Sequence, residues 1–285
     1  MSIDTMTVEV VPSGGPLGAD IHGVDISSGV SDDVFEQILQ AWYDHLVLRF
    51  RGQNISDKAF IEFALKFGNL HHAAGAEYGG KPEELHEAVE LISNVVKEGK
   101  PIGALGAGEA TWHTDMSMFE VPSSATLLYG DEIPPAGGNT RFTNLYLAYE
   151  TLPERLREIV KDRRSIHDAA YLATGGVRPG YEAVVDKSQG PGARHPIVRV
   201  HPYTKREALF LGRYGYGYIE GLSVEESDRV LGELWDHMTK PEFIWAQHWQ
   251  KGDLIVWDNR CVAHMRGEFD PSTRRILRRV TVMDA

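Results

Sequence analysis

Cysteine is nearly absent from this 285-residue chain: Cys261 stands alone. A single thiol excludes an intrachain disulfide and any cysteine-rich zinc site. Positive charge is also scarce, with 29 lysines and arginines against 41 aspartates and glutamates, a formal net charge of −12. That balance argues against nucleic acid or an anionic membrane as a partner. No apolar run approaches the length of a membrane span. The opening residues, Met1-Ser2-Ile3-Asp4-Thr5, lack the basic and apolar regions of a secretory leader. The expectation is a cytoplasmic protein. There is no internal repeat and no low-complexity tract.

What is present reads as one large domain, residues 1–285, rich in strands. Residues from Ser31 to about Tyr43 predict a helix with Val34, Ile38 and Trp42 on one face. Ser56 suits the N-cap of a second helix carrying Phe60, Phe63 and Phe67. Thr151–Glu154 and Ser223–Glu226 both fit the capping-box pattern, predicting helices near 152–161 and 224–238. Strands are expected at 45–50, 88–95, 124–131, 139–143, 164–168, 197–201, 207–211, 243–248, 253–258, 261–266 and 274–282. Many short strands between turn signals suggest a mainly β fold with peripheral helices, a sandwich or jelly roll. Two glycine-rich stretches, near 73–108 and 171–195, are expected to act as lids beside the site strands.

The chemistry concentrates in Trp112-His113-Thr114-Asp115, answered far downstream by His264. On a strand, side chains at i and i+2 point the same way, so His113 and Asp115 can share one ligand. Two histidines and a carboxylate hold a metal on one face and leave the other open, as in the facial triad of non-haem Fe(II) oxygenases. His264 follows an apolar run, Leu254-Ile255-Val256-Trp257, that reads as a buried strand. Beyond it lies Arg274-Arg275-Ile276-Leu277-Arg278-Arg279, a cluster of cations in an acidic chain. It points to a local anion site and not to a generally basic surface. From the residues alone, a zinc hydrolase on the same triad and a non-catalytic jelly-roll binding protein also stay open. The hydrolase lacks an obvious general base and leaves the arginines unexplained.

The order of four motifs narrows the choice. Trp112-His113-Thr114-Asp115, Gly137-Gly138-Asn139-Thr140, Trp257-Asp258-Asn259-Arg260 with His264, and Arg274-Arg275 together resemble the taurine dioxygenase-like family of Fe(II)/2-oxoglutarate-dependent oxygenases. The resemblance runs from Gly18-Ala19-Asp20-Ile21 to the C-terminal strand and implies a double-stranded β-helix, a jelly-roll barrel. It implies His113, Asp115 and His264 as iron ligands, and Thr140 and Arg275 as partners of the distal carboxylate of 2-oxoglutarate. It also implies Arg279 as a contact of the primary substrate's anion. A histidine at His71 or His72 is implied as a further substrate contact, and Tyr216 within Arg213–Tyr218 as another. Relatives are commonly homo-oligomers, so the same is expected here.

The expected reaction consumes 2-oxoglutarate and O2, gives succinate and CO2, and hydroxylates a small anionic substrate, with C–O or C–S cleavage following. Glu109 stands where taurine-specific members carry an asparagine, which argues against taurine itself. An aryloxyalkanoate or an alkyl sulfonate fits better. Cys261 and Trp257 are expected to be core residues beside the site. His167, His195, His201, His237 and His248 are expected to be structural or exposed.

Overall fold

The computed structural model describes residues 8–71 and 85–283. His72 and the glycines at 75, 79 and 80 lie outside the described residues. Twelve described strands build two sheets. In chain order they are β1 (Glu9–Pro12), β2 (Ala19–His22), β3 (Val47–Phe50), β4 (Glu90–Ser93), β5 (Ala104–Leu105), β6 (Ala110–His113), β7 (Ser123–Glu132), β8 (Thr140–Asn144), β9 (Ile244–Gln247), β10 (Leu254–Asp258), β11 (Val262–Arg266) and β12 (Ile276–Met283).

Eight strands form the larger sheet in the order β1-β2-β3-β10-β7-β12-β4-β5, and four form the smaller in the order β9-β8-β11-β6. Pairing is antiparallel except between β2 and β3 and between β4 and β5. The smaller sheet lies on one face of the larger, with the Phe142 ring of β8 at 5.3 Å from Trp257 of β10. Strands distant in sequence thus become neighbours in two packed antiparallel layers, the jelly-roll arrangement.

Alternation along the strands explains why the larger sheet is apolar on both faces. Val47, Leu128, Ile255, Trp257 and Leu277 pack toward the smaller sheet. Their neighbours Leu48, Leu127, Leu254, Val256 and Val280 pack in a second core with two helices. Those helices are α1 (Asp32–His45) and α2 (Asp57–Leu65), capped by Ser31 and Ser56, which accept from Val34 N and Ala59 N. Because both faces are covered, β10 carries no polar residue until Asp258.

One helix start differs from expectation. Asn144, at the end of β8, accepts from the backbone of Tyr146 and Leu147 and begins α3 (Leu145–Glu150), which sequence patterning missed. Thr151 belongs to the end of that helix, its hydroxyl donating to Leu147 O at 2.7 Å. The next helix, α4 (Glu154–Val160), starts after Pro153 with no side-chain cap. Proline's fixed φ and missing N–H suit a helix start, so the threonine is not needed there. The second capping box is present: Ser223 and Glu226 cap α5 (Val224–Met238) reciprocally.

The two glycine-rich stretches differ from each other. The described part of the first contains β4, the edge strand β5 and, between them, a hairpin pairing Val96–Lys97 with Lys100–Pro101. The second contains a bridge between Tyr171 and Val177 and a single 3-10 turn at Lys187–Gln189 before Arg194–Pro196 pairs with Arg164–Ile166. No described helix is long and apolar enough to cross a membrane.

Candidate active site

The smaller sheet brings the triad together. β6 ends at His113, and β11 places His264 directly opposite it in register. Their rings lie 4.2 Å apart. Asp115 is not on the strand, as the i, i+2 argument supposes; it sits in the turn just after β6. The turn still delivers it to the same point. Asp115 Oδ1 is 3.5 Å from His113 Nε2 and 3.9 Å from His264 Nε2. One donor atom from each residue falls within 4.8 Å of the others, and all three residues are buried.

Hydrogen bonds orient the donors. His113 Nδ1 lies 2.7 Å from Thr111 O. A carbonyl only accepts, so Nδ1 carries the proton and Nε2 presents a lone pair. Asp115 Oδ2 accepts from Thr126 Oγ1 at 2.8 Å, and Thr126 accepts from Asn259 Nδ2 at 2.9 Å. Asn259 in turn accepts from Trp257 Nε1. This chain fixes the carboxylate and leaves Oδ1 facing the histidines. Burial opposes ionisation of Asp115, but His264, His113 and Arg279 outweigh it and hold the carboxyl well below its ordinary range. Burial and the neighbouring His113 push His264 down to about 3. A carboxylate beside two imidazoles is the donor set that non-haem Fe(II) takes.

Two chambers meet at this centre, with His113, Leu105 and Arg279 lining both. The first holds Thr140, Arg266 and Arg275 among Ile92, Leu128 and Trp257. Arg275 is 2% exposed, and no carboxylate pairs with it among the described residues. Burial, and then the charge of Arg266, lower its pKa to about 9. Thr140 Oγ1 accepts from Trp249 Nε1 at 3.0 Å, so its own proton is available to a ligand.

The second chamber holds Asp115, Met116, Met118 and Leu172, with the guanidinium-bearing Arg178 and Arg213. Its walls come partly from the second glycine-rich stretch. Arg279 stands at the junction: its Nη1 is 3.8 Å from Asp115 Oδ1, and Nη2 is 2.5 Å from Glu90 Oε2.

The four arginines of this cluster divide between two faces. Arg275 and Arg279 turn to the chambers. Arg274 points outward to Glu132, and Arg278 is clamped by Asp131 and Asp57. β12 lies between β7 and β4, so this is not a solvated edge.

Other candidates are placed differently. His71 donates its backbone N–H to Thr281 O, and its half-buried ring lies 6.4 Å from Phe119, outside both chamber walls. Tyr216 stacks on Tyr171 at 4.4 Å, and Arg213 takes the place in the chamber wall. Glu109 is exposed and reaches neither chamber.

Sequence reasoning missed Arg266, Glu90, Thr126 and Asn259. Arg266 had a signal, since it lies two residues after His264 on the same strand face. Glu90 and Thr126 come from strands whose pairing the sequence does not announce, and Asn259, in the turn after β10, stands inside a quoted motif whose spacing did not reveal its bond to Thr126. It also missed a second His–Asp–Cys group, His201, Asp258 and Cys261. There Asp258 is gripped by Arg260 at 2.8 and 2.6 Å and by His201 at 3.0 Å. His201 Nδ1 accepts from Tyr203 N and Thr204 N. With these donors committed, the group is an ion-pair network.

Comparison with known proteins agrees with this geometry. The profile described as "Taurine catabolism dioxygenase TauD, TfdA family" matches residues 9–281. Pentalenolactone F synthase from Streptomyces avermitilis is 34% identical, covering 98% of this chain and 95% of the relative. The alpha-ketoglutarate-dependent 2,4-dichlorophenoxyacetate dioxygenase of Cupriavidus pinatubonensis is 32% identical, covering 98% and 99%. A crystal structure of AAD-2 in complex with Mn(II) and N-oxalylglycine superposes with a TM-score of 0.80 at 27% identity, covering 98% of each chain. Sequence, fold and buried triad lead to one placement: the chain belongs to the taurine catabolism dioxygenase family of TauD and TfdA.

Proposed function

We propose that this 2-oxoglutarate-dependent dioxygenase uses Fe(II) held by His113, Asp115 and His264, and that it hydroxylates a small organic anion. The observation that carries the reading is the pair of chambers joined at the triad, one containing a buried guanidinium with no carboxylate partner among the described residues. Bound Fe(II) supplies the O2 chemistry that couples decarboxylation of 2-oxoglutarate, to succinate and CO2, to hydroxylation of carbon.

The side chains bind and orient. Arg275 offers a planar fork to the distal carboxylate of 2-oxoglutarate, and Thr140 donates its hydroxyl proton to the same group. Arg279, steadied by Glu90, holds the primary substrate's anion at the junction. Met116, Met118 and Leu172 accommodate an apolar body. An aryloxyalkanoate suits this combination, and an alkyl sulfonate is the second choice. If the hydroxylated carbon bears an ether oxygen or a sulfonate, the product collapses with C–O or C–S cleavage. Segment 171–195 serves as a lid: Leu172, Ala173 and Arg178 supply wall while Val185 is fully exposed. Closure would exclude water from the oxidant.

The test is anaerobic titration of the Fe(II) protein with 2-oxoglutarate, following the visible charge-transfer absorption of the chelate. A band that appears in the wild type, and is lost in Asp115→Ala and weakened in Arg275→Ala, is the expected outcome. Iron bound with no band at any concentration would overturn the assignment.

A further inference from the structure

The cosubstrate chamber contains one cation more than a single carboxylate requires. Arg266 is 5% exposed, and Thr140 is its cross-strand partner on β8. Directly paired residues present their side chains as neighbours on one face, so Arg266 lies beside the threonine proposed to bind the cosubstrate. His264, two residues earlier on β11, faces the same chamber. The Arg266 guanidinium donates from Nη2 to the carbonyls of Leu105 and Gly108. Its Nε and Nη1 have no partner among the described residues, and neither does Nε of Arg275. The Phe269 ring lies 5.7 Å from the Arg266 guanidinium and 5.8 Å from that of Arg275. Among the described residues no carboxylate pairs with either arginine.

Two buried like charges in one chamber repel, and buried donors without acceptors are costly. Burial alone lowers Arg266 to about 10, and Arg266 helps to lower Arg275. An anion with two oxygens relieves both problems by giving each guanidinium an acceptor.

We infer that Arg266 is a second binding residue for the distal carboxylate of 2-oxoglutarate, shared with Arg275 and Thr140; this rests on the dioxygenase reading above. The competing role is purely structural, a clamp on the 105–108 carbonyls just ahead of β6.

A pair of 2-oxo acids separates the roles. 2-Oxopentanoate keeps the metal-chelating end of 2-oxoglutarate and lacks the distal carboxylate. Both would be titrated into anaerobic Fe(II) protein, wild type and Arg266→Met, with Arg275→Met and the double variant completing the cycle. The expected result is that Arg266→Met weakens 2-oxoglutarate roughly tenfold to a hundredfold and leaves 2-oxopentanoate unchanged. The double variant should then barely discriminate between the two ligands. If Arg266→Met does not fold, Arg266→Lys keeps the charge without the fork, and its affinity loss should again be confined to 2-oxoglutarate. Equal weakening of both ligands, or of neither, leaves only the clamp and overturns the inference. A wild-type protein that binds neither acid would instead overturn the dioxygenase reading on which the inference depends.

Discussion

His167 shows at the residue scale how burial sets a titration without catalysis. It is 1% exposed, and its ring is 4.9 Å from His195 and 5.0 Å from Phe210. Burial, reinforced by His195, holds its pKa well below the ordinary 6.5. The unfolded chain therefore takes up a proton that the folded chain refuses, and stability falls as pH drops below 6.5. His195 is shifted in the same direction and adds to the effect. Urea midpoints at about pH 7.5 and about pH 5.5 should differ less in His167→Leu than in the wild type. Equal differences would remove His167 from the account. At this scale the sequence was legible where chemistry demands a residue type at a fixed spacing. His113, Asp115 and His264 were named from residue type and spacing, Thr140 and Arg275 through the family resemblance, and the fold gathers all five around the two chambers. Glu90 and Thr126 act through neighbours supplied by folding, and no spacing connects them to the triad.

The turn before β8 shows what an element contributes to a site. Gly137 and Gly138 have φ of +76° and +63°, where an L side chain is strained. A Cβ on Gly138 would lie 3.2 Å from Arg275 Nε and 3.4 Å from the Phe269 ring. Gly138→Ala should thus cost about 1–2 kcal/mol in backbone strain and also displace Arg275. Gly14, with φ +76° and nothing within 4 Å of an added Cβ, provides the control. Thermal melts should fall for both alanine variants, while 2-oxoglutarate affinity should fall only for Gly138→Ala. Unchanged affinity there would show that Arg275 accommodates the methyl. Most elements were readable because they carry local punctuation: the Ser31, Ser56 and Ser223 caps, and the apolar run of β10. Helix α3 was not, because Asn144 ends a strand and caps a helix at once and leaves no loop between them. The strand order was also hidden, since β12 pairs with β7 and β4 through contacts that no short window contains.

Over the whole molecule, the proposed metal ties together segments far apart in the chain. His113 ends β6, Asp115 sits in the turn after it and His264 is on β11, while Thr126 holds Asp115 from the larger sheet. A ligand that binds the folded state alone stabilises it by mass action. Removing metal with a chelator should lower the melting temperature by several degrees, and Mn(II) or anaerobic Fe(II) should restore it. Asp115→Ala should melt at one temperature with or without the chelator. A wild-type protein indifferent to chelation would count against a resident ion at the triad.

The two chambers differ in what they are made of. The one proposed for 2-oxoglutarate is bounded largely by paired strands, with Thr140, Arg266 and Trp257 held in ladders. The other takes Met116, Met118, Leu172 and Arg178 from turns and connecting segments. Connecting segments tolerate replacement far better than sheet interiors do. Natural variation can therefore rewrite one wall while the oxidative apparatus stays untouched. A single ancestral scaffold built this way is free to diverge toward new compounds without reinventing its power source.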